Sequence, residues 1–180
     1  NGAELRCMIE FAYNHETGPL AIRYPRGNTA ELDENKIPPL EFGKAQILRK
    51  GQNVVLFAVG TMVEKAEKVA DLLEKQGVYA SVINARFVKP LDEDLIVNLG
   101  RDAKLLVSLE ENTIHGGFGS GVLEILSKNR ICIPTLQIGA PDRFIPQGSP
   151  EEQLNEAELN VEQIYGRVLE KLPEVVKKIR

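Results

Sequence analysis

The run NVVLFAVGTMVEKAEKVADLLEKQGVYASVINA, Asn53 to Ala85, decides the fold. It opens on a short, continuous apolar stretch, the mark of a strand buried on both faces rather than one facing water. Thr61 and Glu64 then stand at capping-box spacing, which predicts a helix starting there. The apolar positions Val63, Ala66, Val69, Ala70 and Leu73 follow the helical period, and Gly77 closes the helix. A second apolar strand, YASVINA, follows at Tyr79 to Ala85. Strand, amphipathic helix and strand in this order specify a parallel crossover with its helix packed on the sheet.

The same alternation continues outward. Upstream, AQILRKG and NVVLFAVG read as an antiparallel start to the sheet. Downstream come a helix after Pro90-Leu91-Asp92, the strand AKLLVSLE, a helix after a glycine cluster, and the strand IPTLQIG. Ser149-Pro150-Glu151-Glu152 is a capping box with Pro at the first helical position. Asn160 can cap VEQIYGRVLEKL, which Pro173 is expected to kink or restart. Residues 43–180 therefore read as a three-layer α/β domain, a mostly parallel sheet with helices on both faces.

Before that domain, NTAELDENKIPPLEF shows no usable period and carries the pair Pro38-Pro39, so residues 31–42 read as a linker. Residues 1–30 comprise a helix, ELRCMIEFAYNH, and an expected strand, LAIRYP. One such unit cannot form a sheet of its own, so it reads as the remnant of an upstream α/β domain. The helix face Leu5, Met8, Ile9 and Ala12 would then lack its partner strands. The chain begins without Met or a signal-peptide pattern, as expected of a stretch starting partway into a longer protein.

Composition limits the function. Hydrophobic residues are 43% and charged residues 27% of 180, with a net charge of -4 and both signs interleaved, as in EKAEKVADLLEK. That is the balance of a globular domain with solvated helix faces, not of a nucleic-acid-coating or disordered chain. No apolar run approaches a membrane span. Cys7 and Cys132 lie far apart inside apolar runs and read as buried free thiols, with neither disulfide nor metal spacing.

Candidate site residues gather where strands end. PLAIRYPRGN, Pro19 to Asn28, delivers Arg23 and Arg26 to a strand end, since Pro25 stops pairing and Arg26-Gly27-Asn28 suits a turn. Arg86 follows YASVINA and precedes Phe87-Val88, an odd place for a purely solvated charge. In open parallel sheets this is the ligand edge. The glycines Gly116, Gly117, Gly119 and Gly121 fail the dinucleotide pattern, because the third glycine position is Val122 and no acidic residue ends the next strand. They read as a tight turn into a helix beginning at Ser120, with backbone amides that could meet an anion. Glu110 and Glu111 are adjacent on a strand and so point to opposite faces, which argues against a paired acid and base. His15 and His115 have no partners at metal-ligand spacing.

Taken together, AIRYPRGN, ARFVKPLDEDLI, EENTIHGGFGSGV and PDRFIPQGS closely resemble the C-terminal part of the 1-deoxy-D-xylulose-5-phosphate synthase family, in that family's order and over essentially the whole chain. The family is transketolase-like. The resemblance implies a cytoplasmic (bacterial) or plastid homodimer that uses thiamin diphosphate and Mg²⁺ to condense pyruvate with glyceraldehyde 3-phosphate, releasing CO2. It implies that the diphosphate's Gly-Asp-Gly motif, the activating glutamate and the catalytic histidines belong to domains upstream. No Gly-Asp-Gly occurs here. By the resemblance, Arg26 and Arg86 fall where the acceptor's phosphate is bound, Arg23 is a weaker choice, and no catalytic, metal-binding or cofactor-binding residue lies in this stretch. The third domain would also serve dimer assembly, and the stretch alone would be inactive. Two other readings remain: a purely structural dimerisation domain, and a subunit of a split transketolase or 2-oxoacid dehydrogenase.

Overall fold

The computed structural model describes residues 1–25, 27 and 37–177, the last five as backbone alone. After the N-terminal helix α1 (Gly2–Tyr13), the elements are β1 (Gln46–Arg49), β2 (Val54–Ala58), α2 (Met62–Glu74), β3 (Ala80–Asn84), α3 (Glu93–Asp102), β4 (Leu105–Thr113), α4 (Phe118–Lys128), β5 (Thr135–Ala140), α5 (Pro150–Glu156) and α6 (Val161–Lys177). They build one five-stranded sheet in the order β1-β3-β2-β4-β5. Strands β3, β2, β4 and β5 run parallel, and β1 lies antiparallel on β3. The three-layer, mostly parallel α/β architecture read from the alternation is the one found.

Alternation along each strand divides the core. Val54, Leu56, Val82, Val107 and Leu109 face the layer of α2 and α6, where they meet Met62, Val69, Leu73, Ile164 and Val168. Val55, Phe57, Ile83 and Leu106 face the other layer and meet Ile96, Phe118, Val122 and Leu126. Phe57 and Phe118 stack with ring centroids 5.4 Å apart. Every residue of β2 and β3 is buried, which is why those strands read as unbroken apolar runs.

Several local expectations are corrected. Strand β1 does not pair with β2. The chain between them crosses the start of β3: Gly51 N–H donates to the Ser81 hydroxyl at 2.8 Å, that hydroxyl donates to Gly51 O at 3.1 Å, and Gln52 N–H reaches Tyr79 O at 3.1 Å. A Cβ at position 51 would fall on the Tyr79–Ser81 backbone, so the crossing needs glycine. It carries β1 to the far side of β3.

No strand forms over residues 20–25 among the described residues. Neither edge strand of the sheet, β1 nor β5, takes that segment as a neighbour. Thr61 precedes α2 in helical geometry (φ -61°, ψ -20°), not the extended one a capping side chain needs, so it makes no cap bond; Glu64 pairs with Lys68 at 2.7 Å instead. Helix α4 starts at Phe118 rather than Ser120. Helix α6 continues past Pro173 to Lys177. Cys132 is exposed, because Ile131–Pro134 is loop and β5 begins only at Thr135, and Cys7 on α1 is partly buried; both are free. The capping box at Ser149 is present in full, and Asn160 Oδ1 accepts the Gln163 N–H at 2.8 Å. Residues 31–36 of the expected linker lie outside the described residues.

Candidate functional site at the carboxyl edge of the sheet

Parallel strands end together, so the loops after β2, β3, β4 and β5 share one edge. Because β1 is antiparallel, its first residue, Gln46, lies at that edge opposite Asn84. Three constellations occupy it.

The first is centred on Arg86. The chain turns sharply there, with Arg86 at φ 56° and Phe87 N–H bonded to Ala85 O, a γ-turn of the rarer, strained form. A side chain in this left-handed region costs about 1–2 kcal/mol, so the surroundings must hold it. They do so through a closed ring. Asn84 Oδ1 accepts Arg86 N–H at 3.1 Å, Asn84 Nδ2 donates to both Glu4 oxygens at 3.0 and 2.8 Å, and Arg86 Nε donates to Glu4 Oε1 at 2.8 Å. Arg86 Nη2 continues to Gln46 Oε1 at 2.8 Å. The side chains of Arg86 and Glu4 are only 4% and 14% exposed, so this is an interior ion pair. Removing one partner of such a pair leaves a buried charge uncompensated, at a cost of about 3–5 kcal/mol.

Glu4 comes from α1, so the ring also seats that helix on the sheet. Beside it, Phe11 packs against Phe42 and Phe87, with centroids 6.1 and 5.8 Å away, and His15 lies 5.4 Å from Phe42. The face of α1 that meets the domain thus carries Ala3, Glu4 and Phe11. Ile9, on the expected apolar face, remains 52% exposed.

The second constellation is the glycine turn. Glu110 is 3% exposed, and its carboxylate accepts Phe118 N–H and Gly119 N–H, each at 2.8 Å. An acidic group at a helix N-terminus meets both unpaired donors and the positive end of the helix dipole. Ser120 closes the loop by accepting Gly116 N–H at 3.1 Å and donating to Ile114 O at 3.2 Å. A Cβ on Gly117 would collide with the Glu110 carboxylate and Thr113 O. The amides at Phe118 and Gly119 that the glycines seemed to offer an external anion are therefore capped from within. Glu110 is neither an acid–base pair with Glu111 nor solvent-facing.

The third is a looser rim of charge. Arg23 sits 3.9 Å from Glu111 with 71% of its side chain exposed, a surface pair worth little. Lys65 donates to Leu159 O at 2.8 Å; burial pushes its ammonium below the ordinary 10.5, and the charge of Glu111 opposes that shift. Arg143 reaches Glu156 Oε1 at 2.7 Å, while the neighbouring Phe144 stands fully exposed. His115 is exposed. Of the two expected phosphate ligands, Arg86 is placed at this edge, and Arg26 lies outside the described residues. Among the described residues no group of three His, Cys, Asp or Glu could hold a metal ion, and no helix is long and apolar enough to cross a membrane.

Residues 43–164, spanning the sheet and the start of α6, match the model of the transketolase C-terminal domain. The chain belongs to the transketolase C-terminal domain family. This transketolase C-terminal domain and its preceding helix are 44% identical over 169 residues to a 1-deoxy-D-xylulose-5-phosphate synthase of Acaryochloris marina, and 43% identical over 171 residues to that of Thermosynechococcus vestitus. Those alignments cover 93% and 94% of the chain but 27% of each synthase. Among solved structures it resembles a split-gene transketolase described as an inactive β4 tetramer, at TM-score 0.86 and 30% identity over 94% of this chain and 55% of that one. A Campylobacter jejuni transketolase shares the fold alone, at TM-score 0.54 and 17% identity over 71% of this chain and 18% of its own.

Sequence reasoning did not find Glu4 or the capping role of Glu110. Glu4 and Arg86 lie 82 positions apart, and no local pattern joins them. Glu110 did carry a signal: a carboxylate ending an apolar strand just before a glycine turn into a helix is placed to cap that helix.

Proposed function

We propose that this chain is the acceptor-binding and assembly portion of a 1-deoxy-D-xylulose-5-phosphate synthase that condenses pyruvate with glyceraldehyde 3-phosphate, releasing CO2. Thiamin diphosphate and Mg²⁺ supply the carbanion chemistry of that reaction. The residues of this chain do not fit them, lacking a Gly-Asp-Gly motif and, among the described residues, a cluster of metal ligands. The cofactor's groups belong to domains outside residues 1–180, and the chain by itself is inactive. Its portion would be residues 1–30 as the tail of one domain, 31–42 as linker, and 43–180 as the third domain.

The observation that carries the proposal is Arg86: a nearly buried guanidinium on a strained backbone turn at the ligand edge of the sheet, already desolvated and oriented. A phosphate dianion suits such a group, since the planar fork of Arg meets two phosphate oxygens at once. Arg26, two residues past Tyr24 in the same sequence motif as Arg23, is the second proposed ligand. In this reading the chain's work is binding and orientation: the phosphate is remote from the bond being made, and its binding energy positions the aldehyde carbon.

The test is steady-state kinetics of the complete enzyme with glyceraldehyde 3-phosphate and with unphosphorylated glyceraldehyde. A charge-assisted hydrogen bond contributes about 1.5–3 kcal/mol, or roughly a 10- to 150-fold change. Replacing Arg26 or Arg86 by Ala is expected to lower kcat/KM by that factor for the phosphorylated aldehyde and to spare pyruvate decarboxylation. Equal losses toward both aldehydes would reject phosphate reading. The Arg86–Glu4 ion pair favours a second reading, in which Arg86 serves mainly to fix α1 to the sheet; it predicts such equal losses, together with a lower melting temperature.

A further inference from the structure

We infer that Glu4 is a positioning residue for Arg86, holding the guanidinium by its Nε edge so that its terminal nitrogens meet the ligand's phosphate in one orientation. This rests on the acceptor-phosphate reading above and extends it to a residue on a different element. The carboxylate of Glu4 accepts from Arg86 Nε at 2.8 Å, and its two oxygens are themselves pinned by Asn84 Nδ2 at 3.0 and 2.8 Å. Asn84 cannot turn its amide over to suit a different partner. Its Oδ1 is committed to Arg86 N–H at 3.1 Å, the bond that supports the φ 56° turn, so its Nδ2 must face position 4. A carboxylate is the group that can accept from both neighbours there. An amide would turn an NH₂ toward one of two donors.

The contact pattern distinguishes orienting from competing. A carboxylate that merely neutralised Arg86 in place of phosphate would be expected across the terminal fork, the bidentate mode of Arg–carboxylate pairs. Glu4 instead takes the Nε side, and the terminal nitrogen Nη2 meets a neutral acceptor, Gln46 Oε1, at 2.8 Å. Two different elements, α1 and β1, thus set the plane of the guanidinium, while the terminal end carries no second negative partner in the pairs described. Position and charge are separable here, which gives the proposal a sign. If Glu4 orients Arg86, removing its charge weakens use of the phosphorylated acceptor; if it competes, removing its charge strengthens it.

The experiment uses the complete enzyme and compares Glu4→Gln, Arg86→Ala and the parent, each assayed with a phosphorylated aldehyde and its unphosphorylated counterpart. Glu4→Gln is expected to raise KM for the phosphorylated aldehyde and to reduce the phosphorylated-to-unphosphorylated ratio of kcat/KM about tenfold, the effect of losing one charge-assisted bond's worth of alignment. A ratio that is unchanged, or that rises, overturns the inference. If Arg86→Ala lowers the ratio and Glu4→Gln does not, only the role of Glu4 fails; if Arg86→Ala leaves the ratio unchanged, the underlying phosphate reading fails with it. Should Glu4→Gln not fold, Glu4→Asp, which keeps the charge but draws the carboxylate back from Nε, carries the same test: a lowered ratio supports the orienting role of Glu4, and an unchanged ratio overturns it.

Discussion

Replacing Glu110 by Ala should be among the most destabilising single changes in the domain, although it deletes no apolar contact of the main core. The side chain accepts two backbone N–H bonds, from Phe118 and Gly119, and both donors belong to buried residues. Bonds to a charged acceptor contribute about 1.5–3 kcal/mol each, and the stranded donors also lose the favourable helix-dipole interaction. Water entering the space left by the side chain recovers part of this. A net loss of about 3–5 kcal/mol is expected, against a total of about 5–15 kcal/mol for an ordinary domain. At a urea slope of about 2 kcal/mol per molar, the midpoint should fall by about 1.5–2.5 M. Glu110→Gln should fall between the two, because an amide keeps one acceptor but points an NH₂ at the other donor. Glu111→Ala is the control, since that side chain makes a surface pair with the exposed Arg23 at 3.9 Å and should cost under about 1 kcal/mol. If Glu110→Ala and Glu111→Ala shift the midpoint equally, the internal cap does not hold the glycine turn, and the account of that loop is wrong.

Other perturbations follow from the same geometry. Gly51→Ala should cost about 1–3 kcal/mol by chemical denaturation and loosen β1, because the new methyl falls on the Tyr79–Ser81 backbone; a neutral effect would contradict the crossing described for that loop. Ser149→Ala should cost about 1 kcal/mol. The Ser149 backbone N–H and then its hydroxyl hold the Glu152 carboxyl below its ordinary 4.5, so this contribution is fully present above that value and is lost as pH falls through the lower folded-state value. In Ser149→Ala that part of the acid sensitivity should shrink, and an unaltered acid profile would count against it. Amide hydrogen exchange should be faster in α1 than in β2, since α1 leaves Ile9 and Tyr13 52% and 89% exposed whereas β2 is buried throughout; equal protection would mean that the ring around Arg86 holds α1 as firmly as the sheet holds its centre.

What could be read in advance, and what could not, divides by the range of the interactions. The strands β2, β3 and β4 were legible because burial on both faces demands unbroken apolar runs, and the cap of α5 because Ser149, Pro150 and Glu152 are neighbours in sequence. Thr61 shows the limit of such local patterns: its spacing to Glu64 is right for a capping box, but the turn from Gly60 to Val63 already places Thr61 in helical geometry. The pairing of β1 was hidden because it depends on Gly51 lying over the backbone of β3, a contact between segments about 30 positions apart. At the site, Arg86 could be suspected from a charge following a buried strand. Its partners could not, since Glu4 and Gln46 arrive from α1 and β1, and only the folded chain brings them to the same guanidinium.

In the proposed function, the carboxyl edge of this sheet presents Arg86 to the phosphate of an aldehyde acceptor. The most direct measurement is a structure of the complete enzyme with a phosphorylated acceptor bound. Phosphate oxygens are expected about 2.7–2.9 Å from the terminal nitrogens of Arg86, with Glu4 still bonded to Nε. A phosphate bound elsewhere, with Arg86 enclosed by Glu4, Gln46 and Asn84 alone, would contradict it.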